Sequence, residues 1–108
     1  MANYNDLSGA FNSLIDTLTN RLSPFFDAVV SGRWLGAMGR TAAIARETAR
    51  WTALPDPVPG GGLVVSSLDA ATRAIAVAAP GDSDTAILAA LVQADGALEK
   101  LEKLLGMN

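Results

Sequence analysis

The side chains able to do chemistry in this chain are few and scattered. Asp82 and Asp84 stand two apart ahead of an apolar run, a spacing in which two carboxylates could grip a hard cation such as Ca²⁺ or Mg²⁺. The loop pattern that completes such a site, with its central Gly and final Glu, is absent, and capping of the helix that follows accounts for both acids. Gly60-Gly61-Gly62 offers backbone N–H groups to a phosphate, but no Lys-Ser/Thr follows and no strand precedes it. Ser66, Ser67 and Ser83 have no base to activate them. Catalysis near neutral pH needs a group that titrates there or a metal. The chain has neither His nor Cys, which leaves displaced carboxylates, Lys100, Lys103 and Tyr4. The residues therefore predict no catalytic group, no metal, no cofactor and no enzyme. The missing Cys also removes disulfides and thiol nucleophiles, and with the missing His it removes zinc sites.

If the residues carry no reaction, composition must say what they are for. The chain has 108 residues, which predicts one domain. Leu, Ile, Val and Phe together make 28 of them, too many for a disordered chain. Charged residues are 18%, against about 25% in a typical soluble domain. A domain this small has an unfavourable ratio of surface to volume and should need more polar surface, not less. Part of the apolar excess is alanine, 20 residues that cost little to expose. The rest implies apolar surface covered by other copies or other proteins.

Net charge is −3, which argues against a partner held by phosphate neutralisation. The charge is divided: residues 1–54 carry five Arg against four acids, and residues 55–108 carry three bases against seven acids. Such a chain could pair its basic half with the acidic half of another copy, or solvate the two separately. Residues 1–6 have no basic n-region, Met1-Ala2 excludes a myristoylation signal, and the longest uninterrupted apolar run, residues 86–92, falls short of a membrane span. The expectation is synthesis in the cytoplasm without a signal peptide, with later incorporation into a particle open.

The elements are read from spacing. Leu7, Phe11, Leu14, Leu18, Leu22, Phe25 and Val29 form one helical stripe over residues 6–30, with Asn5, Asp6 or Ser8 as caps and a restart at Ser23-Pro24. Residues 31–54 read as a helix rich in small residues. Gly32 and Gly36 share a face, as do Gly39 and Ala43, a pattern that admits another backbone closely. Trp34 and Trp51 flank this segment, and Arg33, Arg40, Arg46 and Arg50 are set to pair with acids on neighbouring helices. Pro55-Asp56-Pro57-Val58-Pro59-Gly60-Gly61-Gly62 reads as a linker, stiff and then loose. Residues 63–79 suit a helix capped at Ser66 or Ser67, with Leu68, Ala71, Ile75 and Ala78 as its stripe. A hairpin of residues 63–67 and 74–79 is the rival, which alanine disfavours. Pro80-Gly81 is a turn. Ile87, Leu91, Ala94, Leu98, Leu101 and Leu105 then form a heptad seam, started at Asp82, Ser83 or Asp84 and stopped at Gly106.

These readings predict an all-α fold of four to five short helices, in two helical halves (residues 1–54 and 63–108) joined by the Pro/Gly linker of residues 55–62. The stripes are broader than one small chain needs, so Phe11, Leu18, Leu22, Phe25, Trp34, Trp51, Leu91, Leu98, Leu101 and Leu105 are expected to form a protein interface. The expected function is structural: a self-assembling, oligomeric helical-bundle subunit of a multi-copy assembly such as a virion or other supramolecular particle. Its partners are further copies of the chain and a larger structural protein, not nucleic acid or membrane. The alternatives are a helical adaptor for one protein partner, or an amphipathic coat on a lipid or polymer surface.

Overall fold

A computed structural model describes residues 2–22, 28–78 and 83–107. Among them the chain is all-α, with five helices and no strand: α1 (Tyr4–Arg21), α2 (Ala28–Arg46), α3 (Thr48–Thr52), α4 (Gly61–Ala78) and α5 (Asp84–Leu104). The rival hairpin over residues 63–79 is replaced by α4. The restart at Ser23-Pro24, the Pro80-Gly81 turn, Asp82 and Phe25 lie outside the described residues.

Each helix begins and ends for a local reason. Asn3 caps α1: its side chain accepts from the Asp6 N–H while the Asp6 carboxylate accepts from the Asn3 N–H. Two of the four orphan donors are thereby satisfied, two residues or more ahead of the caps expected at Asn5, Asp6 or Ser8. Ser83 caps α5 through the Ala86 N–H, and Gly106, at φ 73°, closes its C-terminus in the left-handed region that glycine occupies without strain. The helix of residues 31–54 is two helices, broken at Glu47.

The Pro/Gly segment is shorter and tighter than its composition suggests. Gly61 and Gly62 belong to the first turn of α4, so Ser66 and Ser67 lie inside that helix and do not cap it. Val58 is buried and its N–H donates to the Ala2 carbonyl at 2.9 Å. Gly61 permits this docking: a Cβ there would stand 3.0 Å from Val58 Cβ and 3.3 Å from Ala2 Cβ. Gly60 makes the turn at φ 76°.

The helices close as a ring in the order α1, α4, α5, α2, with the thinnest contact between α2 and α1. This arrangement puts α2 at the corner opposite α4. Each helix must face two neighbours, and so each carries a broad stripe. Leu7, Leu14 and Leu18 from α1, Val30 and Ile44 from α2, Leu68 and Ile75 from α4, and Ile87, Leu91, Leu98 and Leu101 from α5 are all essentially inaccessible. The radius of gyration, 13.7 Å, matches the value of about 13 Å expected for a compact chain of this length. Among the described helices α4 is long and apolar enough, by length and composition, to cross a membrane, with mean hydropathy 1.3 over Gly61–Ala78. Its Leu68, Ala71, Ile75 and Ala78 stripe lies in the bundle core, and Asp69 and Arg73 stand in the same stretch.

Candidate functional site

The ten residues expected at an interface fall mostly inside the chain. Phe11, Leu18, Leu22, Trp51, Leu91, Leu98, Leu101 and Leu105 are buried among their own helices, and Trp34 is half-buried against the same core. Phe25 lies outside the described residues. In this fold the eight buried residues are core, and Trp34 packs partly against them. The reason is topological: a stripe closed by a neighbouring helix of the same chain has the same spacing as one closed by a partner.

The two tryptophans act as bolts. Trp34 Nε1 donates to the Leu18 carbonyl at 2.8 Å, satisfying an acceptor in the last turn of α1. Trp51 Nε1 donates to the Ile44 carbonyl at 3.0 Å near the end of α2. The Trp51 ring meets Tyr4 edge-on, with centroids 5.9 Å apart, and Phe11 at 5.4 Å. Thus α3 exists where Trp51 can reach α1. Beside these rings a hollow of about 220 Å³ is rimmed by Ser8, Asn12, Thr48 and Thr52, with no charged side chain.

Arg33, Arg40 and Arg50 pair within the chain. Arg40 Nε lies 2.9 Å from Glu102 Oε1 and its Nη1 donates to the Asp95 carbonyl at 3.1 Å. Arg33 and Arg40 stand 4.0 and 3.6 Å from the Asp95 carboxylate. The Arg40–Glu102 contact is an ion pair without hydrogen-bond alignment, since no donor is directed at the buried Oε1. Arg50 Nη1 donates to the carbonyls of Leu105 and Gly106 and so places a cation at the C-terminal end of α5. The basic segment of the first half therefore meets α5 of its own chain.

Among the described residues, the outward faces of α2 and α4 are apolar and uncovered. On the outward arc of α2, Gly32, Leu35, Gly36, Gly39 and Ala42 are exposed, with the exposed Arg33 to one side and Arg46 at the C-terminal end of the arc. A Cβ built at Gly32, Gly36 or Gly39 meets nothing within 4 Å. Leu35 is 57% exposed. At the opposite corner the outward face of α4 presents Leu63 and Val77, both largely exposed. The small residues of α2 were visible in the sequence as helix-weakening glycines, but the wide Leu/Phe stripes were the stronger signal and drew the expected interface onto themselves.

The seam between α4 and α5 is hollowed. One groove of about 480 Å³ runs along Gly60, Leu63, Val64 and Ala70, with Lys100 and Lys103 on its α5 side. A second, of about 310 Å³, lies beside Gln93, Gly96 and Ala97. Ser67, Ala70 and Lys100 line both. Lys100 Nζ donates to Ser67 Oγ at 3.2 Å across the seam.

Comparison with protein families, with curated proteins and with solved structures finds no match to this chain.

Proposed function

We propose that the protein is a non-enzymatic structural subunit that associates with further copies of itself through the outward face of α2. It would serve as a small component of a multi-copy assembly such as a virion or another supramolecular particle, where a larger structural protein is a second partner. One observation supports this reading above the others. A surface helix ordinarily turns charged and polar residues to solvent, whereas the outward arc of α2 offers only Gly, Ala and Leu between its flanking arginines. Glycine lowers helix stability by roughly 1 kcal/mol relative to alanine, and three of them stand where nothing in the chain needs the space. A face without side chains lets another helix approach closely and bury backbone against backbone.

The test is light scattering on the purified chain together with Leu35→Glu. Leu35 is exposed, so a glutamate there leaves helicity and thermal stability unchanged while placing a charge in the contact. The expected result is a discrete oligomer that falls to monomer in the variant. A parent chain that stays monomeric at high micromolar concentration, or a Leu35→Glu chain that associates as the parent does, overturns the proposal.

A further inference from the structure

The strongest unexplained feature is the α4/α5 seam. Every arginine from Arg33 to Arg50 except Arg46 meets a carboxylate or a helix-end carbonyl, and Lys103 lies 3.5 Å from Glu99. Lys100 differs. Its partner is the neutral Ser67 hydroxyl, and among the described residues no carboxylate lies within ion-pair distance of it. The ammonium has three N–H donors, one of them given to Ser67, and Lys100 lines both grooves. On one side the larger groove runs along an apolar wall of Leu63, Val64 and Ala70, with Leu63 78% exposed. On the other, the smaller groove beside Gln93 and Gly96 leaves room at the ammonium, since a Cβ built at Gly96 meets nothing within 4 Å.

An ammonium with spare donors, a hydroxyl at its side and an apolar trough leading away from it match one ligand chemistry: an anionic head on a single alkyl chain. We propose that this seam binds a free long-chain carboxylate. The head accepts from Lys100 Nζ and the Ser67 hydroxyl, and the chain lies along Leu63, Val64 and Ala70. Charge complementarity sets the orientation, because Lys100 and Ser67 line both grooves whereas Leu63 and Val64 line only the larger. Lys103, which also lines this groove, lies 3.5 Å from Glu99. The larger groove, about 480 Å³, falls in the range of about 300–1,000 Å³ that small-ligand sites occupy. This inference is independent of the α2 face and stands or falls separately from the oligomeric state.

The experiment is an amide chemical-shift titration of the labelled full chain with dodecanoate below its micelle concentration, with dodecanol and dodecylammonium as controls. The expected result is saturable shifts at Leu63, Ser67, Ala70 and Gly96 for dodecanoate. Dodecanol should bind about tenfold more weakly, because the charge-assisted hydrogen bonds are lost, and dodecylammonium should not bind at the seam. Lys100→Met should weaken dodecanoate by about the same factor while Lys100→Arg retains it. Lys100 is exposed, so both variants keep the parent's helical circular dichroism. Several results overturn the proposal: equal binding of acid and alcohol, shifts centred elsewhere, undiminished binding by Lys100→Met, or binding only to vesicles of anionic phospholipid and not to the free acid.

Discussion

Replacing Arg40 with methionine asks whether the two oppositely charged halves are held together within one chain. Methionine keeps an unbranched stem and good helix propensity, so the substitution removes charge and donors while leaving the backbone of α2 undisturbed. Two losses follow. The first is the hydrogen bond from Arg40 Nη1 to the Asp95 carbonyl. A charged donor is worth about 1.5–3 kcal/mol when enclosed, but the Arg40 side chain is 34% exposed, which reduces this to about 1 kcal/mol. The second is the counter-charge of Glu102, whose side chain is only 16% exposed and whose Oε1 then faces no cation, costing about 1–2 kcal/mol more. The sum is about 2–3 kcal/mol, which lowers Tm by about 8–15 °C in a chain of this size. Glu102→Gln added to Arg40→Met should recover about 1 kcal/mol, since an amide is cheaper to leave without a counter-charge. Urea and thermal unfolding of the parent, both single variants and the double variant give the coupling directly. If Arg40→Met unfolds within about 0.5 kcal/mol of the parent, or the cycle shows no coupling, the charges of α2 and α5 are solvated independently and the reasoning fails.

Three further outcomes can be checked by the same unfolding measurements. Trp34→Phe keeps the ring but removes the donor to the Leu18 carbonyl and should cost about 1 kcal/mol; no loss would show that water replaces it. Gly61→Ala should destabilise, because its Cβ meets Val58 and Ala2. By contrast Gly62→Ala, one position on in open space, should gain up to about 1 kcal/mol; the same sign for both would refute the docking of residue 58 against the N-terminus. Leu98→Asp places a charge at a fully buried position of the α5 seam and should abolish cooperative unfolding, and a folded variant would remove Leu98 from the core.

The stripes of α1, α4 and α5 were legible because burial imposes a period, and the period survives in the sequence whatever covers it. Ile87, Leu91, Ala94, Leu98, Leu101 and Leu105 are all buried, as are Leu68, Ala71, Ile75 and Ala78. What covers a stripe has no local signature, so Leu91, Leu98, Leu101 and Leu105 read equally well as facing a partner, whereas here the chain's own helices close over them. The start of α4 was hidden for a related reason. Gly61 looks like part of a loose linker, yet its missing Cβ is required by Ala2, a contact about sixty residues distant along the chain. The break at Glu47 follows from Trp51 reaching Tyr4 and Phe11 on α1, another long-range demand that spacing within the segment does not encode. Nothing in the residues around Lys100 shows that its neighbour across the seam is a hydroxyl and not an acid.

Most of the large apolar side chains that raise the composition are buried within the chain. Once the broad stripes close on one another, apolar side chains such as Leu63 and Val77 of α4 stay outside, and so does the back of α2, where Leu35 stands among glycines and alanines. This gives Gly36→Ala unusual discriminating power. Within the isolated chain the added methyl meets nothing and removes the conformational freedom of glycine from the unfolded state, so the monomer should gain up to about 1 kcal/mol. If another helix lies against that face, the same methyl holds the two backbones apart and weakens association while the subunit itself grows more stable. Stability and association then move in opposite directions, which a simple loss of folding cannot produce. Thermal unfolding of a dilute sample reads the first and sedimentation across a concentration series reads the second. A Gly36→Ala chain that is more stable and associates as before would show that the glycines of α2 are not where copies meet.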